Sequence, residues 1–309
     1  MEERLIALLR LAIKYNATDI HFNVNYQEVK IEMRIDGYFR RVKELFDDFK
    51  LIRYLQYLAN LDVGNILSPQ TGQFEMIVDG MLLSLRFAVI NKLNSTNGVL
   101  RILNSKINLK PEYLSRIKKQ NEYFKYIMNL DNGLILFSGP TGSGKTTTLY
   151  TLLKSIRNRK IYTIEDPIEV YHDEFVQLSV NKDMMFDYSD GIKQILRHDP
   201  DVIMIGEIRD TKAAKAAVEA ANTGHLVVST IHAPRASACL SRMIELGVSK
   251  SNLLENLVCL VNQKLISESQ KKYVLYEIMD RNEIDYYNEH LKHSANYYSI
   301  DKQLKDIGK

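Results

Sequence analysis

The octapeptide Gly139-Pro140-Thr141-Gly142-Ser143-Gly144-Lys145-Thr146 constrains this chain more than any other stretch, because it satisfies G-x-x-x-x-G-K-[ST] at every specified position. Leu134-Ile135-Leu136-Phe137 precedes it as a buried strand should, and Thr147 to Leu153 follow with a helical pattern ending near Arg157. In that strand–loop–helix order the glycines let several N–H groups and a helix N-terminus converge on one anion. The expected ligand is a polyphosphate held by Gly139 through Thr147. Lys145 would reach the β- and γ-phosphates and Thr146 would offer its hydroxyl to Mg²⁺. A Gly-rich connection without a ligand is the bland alternative, and the flanking strand and helix argue against it.

At 309 residues the chain has length for two domains. Its formal charge of +3 advertises no large field for nucleic acid. Cys239 and Cys259 form no CxxC pair, so neither zinc nor a disulfide framework is expected, and a reduced, cytosolic protein is the natural reading. Met1-Glu2-Glu3-Arg4 leads into no long apolar run, which argues against a secretory signal. No apolar stretch approaches the ~20 residues that cross a bilayer. Membrane association is therefore expected only through a partner.

Two organisations follow one another along the chain. In residues 1–104 an amphipathic helix over Arg4 to Tyr15 precedes alternating segments at Ile20–Val24, Val29–Ile35 and Tyr38–Val42, a helix from Phe49 to Leu61, and a hairpin through Asp79-Gly80. This predicts a small α+β domain. Residues 105–111 read as a linker. From 112 to 280, buried apolar runs alternate with helices, which predicts an α/β domain with a parallel sheet covered on both faces. Ala236 to Ile266 reads as helix with a break near Gly247, and 281–309 as a polar C-terminal tail.

Acids at strand C-termini sit where open α/β sheets bind their ligands. Glu165, in Glu165-Asp166-Pro167-Ile168-Glu169, follows the strand Ile161–Ile164, and Glu207 follows Val202–Ile205. Phosphoryl transfer needs an acid linked to Mg²⁺ and a group that orients or deprotonates the attacking water. Glu169 and Asp210 are equally well read as solvated loop charges. His225 and His232 bracket the strand Leu226–Ser229; a structural role and sensing of the γ-phosphate both remain open on the residues alone.

Gly139–Thr147, Thr163–Glu169, Ile195–Asp210 and Thr223–Ala233 resemble, in order, the Walker A motif, Asp box, atypical Walker B and His box of the type II secretion and type IV pilus ATPase family. Ala17-Thr18-Asp19-Ile20-His21 and Arg34-Ile35-Asp36-Gly37 resemble family motifs of the small domain. The resemblance implies a RecA-like P-loop ATPase domain preceded by a PAS-like domain. It implies that Glu165 activates water and that Glu207 supports Mg²⁺, through water, and the γ-phosphate. His225 and His232 match the His-box histidines, and Arg197 and Arg209 match arginines beside Walker B. Arg86 and Arg101 match small-domain arginines that reach the nucleotide across the interdomain cleft.

The implied protein is an ATP- and Mg²⁺-dependent homohexameric motor, cytoplasmic and peripheral to the cell membrane, working on a polytopic inner-membrane platform protein. No direct nucleic-acid binding is expected. Short length, the lack of four zinc cysteines after the His box and an Asn-, Lys- and Tyr-rich composition make the chain resemble most the competence pilus ATPases of Gram-positive bacteria, which support DNA uptake. A type II secretion ATPase, a DNA translocase or helicase on the same core, and a slow nucleotide-gated scaffold are the rival readings.

Overall fold

The computed structural model describes residues 1–25, 29–35, 37–42, 49–65, 68–92, 95–103, 109–168, 170–180, 186–268 and 271–306. Residue 104, residues 105–108 of the expected linker, and Glu169 lie outside that set. The chain divides into two compact units, Met1–Lys106 with Glu169–Tyr171, and Ile107–Ile168 with His172–Lys309.

The first unit is one antiparallel sheet with helices on one face. Its elements are α1 (Glu2–Lys14), β1 (Asp19–Asn25), β2 (Val29–Ile35), β3 (Tyr38–Arg41), α2 (Phe49–Leu58), β4 (Gln70–Val78), β5 (Met81–Lys92) and β6 (Ser95–Ile102), and the sheet order is β3-β2-β1-β6-β5-β4. Strand alternation sends Ile20, Phe22, Met33, Leu85, Phe87 and Leu100 to the core side, where Leu5, Leu8, Leu9 and Ala12 of α1 and Leu51 and Leu55 of α2 meet them. The opposite face therefore receives Arg34, Asp19, Arg101 and Arg86, which the register places side by side on β2, β1, β6 and β5. Strand β6 carries no clean alternation in Ser95-Thr96-Asn97-Gly98 and was not expected from the sequence. It forms because its backbone fills the gap between β1 and β5.

The second unit comprises α3 (Lys118–Ile127), β7 (Gly133–Ser138), α4 (Lys145–Leu153), β8 (Ile161–Glu165), β9 (Phe175–Ser179), α5 (Tyr188–Ile195), β10 (Val202–Ile208), α6 (Thr211–Asn222), β11 (Leu226–Ile231), α7 (Ala238–Glu245), α8 (Lys250–Asn256), β12 (Leu257–Glu268), β13 (Lys271–Met279), α9 (Arg281–His290) and α10 (Ile300–Asp306). The sheet runs β13-β12-β7-β11-β10-β8-β9, parallel except where β13 returns along β12. Successive residues of β7 point to two different cores. Leu134 and Leu136 pack with α5 to α8, and Ile135 and Phe137 pack with α3, α4 and Tyr276. Burial on both faces explains why β7, β10 and β11 read as unbroken apolar runs.

The reading of Ala236 to Ile266 as helix needs correction. Gly247, at φ +82°, ends α7, Ser249 caps α8 by accepting from the Asn252 amide, and Leu257 to Glu268 form a strand. Leu257-Val258-Cys259-Leu260-Val261 is a short apolar run, and periodicity does not separate a buried strand from a buried helix at that length. Pairing with β7 on one side and β13 on the other decides for strand. Residues 281–306, within the polar C-terminal tail, hold two helices. Asp280 caps α9, Ile284 is fully buried, and Tyr297 donates to the buried Glu277 carboxylate.

Candidate nucleotide site

The site gathers at the C-terminal ends of β7, β8, β10 and β11. The phosphate loop leaves β7 and ends at Gly144, the N-cap of α4, with φ +87°. Gly142 is also left-handed, at φ +76°, and a Cβ on Gly139 would stand 2.3 Å from the Gln263 carbonyl on β12. These positions demand glycine for the turn and for the close approach. Gln263 also clamps the loop, its Nε2 donating to the Ser143 carbonyl at 2.7 Å. The Ser143 hydroxyl is 2% exposed and has no hydrogen-bond partner among the described residues. An orphaned hydroxyl inside a ring of loop amides fits an anion with several oxygens.

Lys145 opens α4 and curls back over the loop. Its ammonium donates to the carbonyls of Gly139 at 2.8 Å and Pro140 at 3.1 Å. Burial pushes its pKa below that of a free lysine, and the Glu207 carboxylate pushes it back up, which places Glu207 within electrostatic reach of the loop. Thr146 and Thr147 follow in the first turn, where helix amides have no intrahelical acceptor.

Glu207 owes its position to an irregularity in β10. The register with β11 shifts between Ile205 and Ile208, so Gly206 and Glu207 stand in a bulge. The carbonyls turned aside there are taken up by β11: Ser229 Oγ donates to Ile205 O at 2.8 Å and Thr230 Oγ1 to Gly206 O at 2.7 Å. A side chain at Gly206 would press on β8, since its Cβ would lie 3.3 Å from Glu165 Cα. Gly206 therefore lies tight against Glu165 at the end of β8. Glu207 Oε2 accepts from Arg209 Nε at 2.7 Å, and Oε1 lies 3.0 Å from His232 Nε2. The guanidinium of Arg209 is held above its usual pKa, first by the Glu207 hydrogen bond.

Glu165 ends β8 with its side chain 3% exposed. Tyr150 Oη lies 2.6 Å from both carboxylate oxygens and donates to them, and Thr163 Oγ1 donates to Oε1 at 2.7 Å. Sequence reasoning identified the acid but neither Tyr150 nor Thr163. Tyr150 reads as one more apolar position of α4, and only the fold shows its hydroxyl aimed at β8.

Two expected residues lie elsewhere. His225 precedes β11 and Arg197 precedes β10, at the strands' N-terminal ends, roughly 17 Å from the phosphate loop along a six-residue strand. Within one chain the structure does not bring either to Lys145. His225 Nδ1 instead lies 2.9 Å from Thr223 Oγ1 and 3.2 Å from Ala220 O at the end of α6.

In the first unit, Arg101 Nε donates to Asp19 Oδ1 at 2.7 Å, and Arg34 lies 3.8 Å from the other oxygen. Burial pushes the Asp19 carboxyl up, but hydrogen bonds from Arg101 and Thr18 outweigh it and leave the group below the usual carboxylate range. Arg86 stands directly opposite Arg101 across the β5–β6 ladder.

No group of three or more His, Cys, Asp or Glu able to hold a metal occurs among the described residues. Mg²⁺ fits here as an ion shared with the phosphates. Thr146 would supply a hard oxygen, and Glu207, with both oxygens engaged, would act through water. No helix among the described residues is long and apolar enough to cross a membrane.

The profile of a family described as type II/IV secretion system protein matches residues 1–298. The competence protein ComGA of Halalkalibacterium halodurans is 38% identical over 267 residues, 84% of this chain and 76% of that protein. ComGA of Bacillus subtilis is 32% identical over 264 residues, 84% and 74% of the two chains. Type II secretion system protein E of Pseudomonas aeruginosa is 35% identical over 269 residues, covering 85% of this chain but only 54% of that protein. The chain therefore spans about three quarters of those competence proteins and about half of the secretion protein. Among solved structures, the pilus retraction motor PilT with bound ADP superposes with a TM-score of 0.77 at 26% identity, over 98% of this chain and 92% of that one. The Legionella pneumophila ATPase DotB, at 22% identity and TM-score 0.72 over 91% and 82% of the two chains, shares the fold.

Proposed function

We propose that this chain, which belongs to the type II/IV secretion system protein family and has a RecA-like P-loop core, is an ATP hydrolase that drives assembly of a competence pilus for DNA uptake. One observation carries the reading: a phosphate loop with its lysine, and Glu165, Glu207 and His232, converge from the ends of four neighbouring parallel strands. Likeness to the two ComGA proteins supports the choice of machine.

In this reading the loop amides, Ser143 and Lys145 bind the phosphates. Bound Mg²⁺ would screen the phosphate charge and polarise the γ-phosphoryl group, with Thr146 and Glu207 as its protein-side partners. Glu165 takes the proton of the attacking water. Arg209 and His232 hold Glu207 in place, so a change at the γ-phosphate is felt along β10 and β11. Arg86 and Arg101 add positive charge to the phosphates during turnover, the role that the family resemblance gives them. The working form is a homohexameric ring at the inner face of the cell membrane, acting on a polytopic platform protein.

Steady-state ATPase of the purified chain with and without DNA tests the reading. Turnover that ignores DNA is the expected result. Strong stimulation by DNA would replace the pilus motor with a translocase, and no turnover would favour a scaffold. Arg86→Ala and Arg101→Ala are each expected to lower kcat roughly tenfold with ADP affinity kept, since each loses a charge-assisted bond to the reacting phosphates. Unchanged kcat in both would remove them from the site.

A further inference from the structure

Glu165 is nearly inaccessible, and two strands and one helix of the second unit supply donors to its carboxylate. Thr163 is two residues back on β8, Gln177 lies on the edge strand β9, and Tyr150 lies on α4. The donors are arranged in a fixed order. The His172 amide donates to Gln177 Oε1 at 2.6 Å, which orients that side chain. Gln177 Nε2 then faces the Tyr150 oxygen at 3.2 Å and Glu165 Oε1 at 3.3 Å. Because the phenol oxygen accepts from Gln177, its own proton is directed to the carboxylate, and the oxygen lies 2.6 Å from both carboxylate oxygens. The ring is fixed as well, stacked 6.3 Å from Phe175 and tilted against the His172 ring at 4.8 Å. Burial pushes the His172 pKa down to about 4, so that ring is an uncharged packing surface at neutral pH.

Tyr150 shares α4 with Lys145. The two are five residues apart, roughly 7.5 Å along one rigid helix whose N-terminus faces the phosphate site. We infer that Tyr150 is the positioning residue for Glu165: its hydroxyl orients the buried carboxylate and ties that orientation to the helix that binds the phosphates. The inference rests on Glu165 being the group that accepts the proton from water. Tyr150 itself touches no reacting atom. It acts by keeping a buried carboxylate in one place, where a lost hydrogen bond lets the group turn away.

Tyr150→Phe isolates this role, because the ring keeps its packing against Phe175 and His172 and loses only the hydroxyl. The expected result is a kcat about tenfold lower, with KM for ATP and the calorimetric Kd for ADP within about twofold of the parent. Glu165→Gln is measured in parallel. If Glu165→Gln is inactive while Tyr150→Phe turns over at or above the parental rate, the positioning role is overturned and the reading of Glu165 stands. If Tyr150→Phe loses ADP affinity along with kcat, the hydroxyl serves only the structure of α4 and the inference also falls. If Glu165→Gln keeps parental turnover, the reading of Glu165 fails and takes the inference with it.

Discussion

Lys145→Ala is expected to abolish nucleotide binding, with ADP affinity falling at least 10²-fold and no measurable turnover. The side chain has two functions that alanine cannot replace. Its ammonium bridges the carbonyls of Gly139 and Pro140, so it closes the loop into the shape that aims the backbone amides inward. It is also the positive charge nearest the bound phosphates, in a site where partial burial strengthens each charge-assisted bond. Two such bonds at about 1.5–3 kcal/mol each account for the expected loss. Calorimetric titration with ADP and Mg²⁺ measures it directly. An affinity within tenfold of the parent would mean that the loop does not hold phosphate.

Glu165→Gln is expected to leave ADP affinity within about threefold and to lower kcat by roughly 10²–10⁴, the range for loss of a general base. The amide keeps the shape and one acceptor oxygen, but it cannot take a proton. Its NH₂ group would also face Thr163 or Tyr150, both of which donate toward the carboxylate, so a small loss of thermal stability should accompany the variant. Single-turnover ATPase separates the chemical step from product release. A rate within threefold of the parent would show that water is activated by another group.

The phosphate loop was legible because everything it needs is consecutive: strand, three glycines in left-handed or crowded positions, lysine, threonine, helix. Glu165 and Glu207 were legible for a related reason, since an acid directly after a buried apolar strand must emerge at that strand's C-terminal end. The helices of the first unit showed themselves through their apolar faces, Leu5, Leu8, Leu9 and Ala12 being the clearest. Strand β12 was illegible because five consecutive apolar residues are compatible with helix or strand, and its identity depends on β7, more than a hundred residues earlier. Strand β9, with one buried residue at an edge, carried too little pattern to register.

Roles that depend on register were hidden in the same way. Asp19 and Arg101 are 82 residues apart and meet only because β1 and β6 are neighbours. The bulge that turns Glu207 toward His232 and Arg209 is a mismatch between β10 and β11, visible in neither strand alone. Chain order suggested that His225 and His232 act together, but six residues of extended strand carry them to opposite ends of the sheet.

By itself the sequence determined the phosphate-binding element, the division into an antiparallel and a parallel half, and the acids beside the loop, because each is encoded in contiguous residues through local backbone preference or side-chain period. Tertiary structure alone decided the strand order, the bulge at Gly206, and the placement of Tyr150, Thr163 and Gln177 around Glu165. Those features arise from long-range strand pairing, where burial and hydrogen-bond satisfaction across distant segments outweigh any local signal.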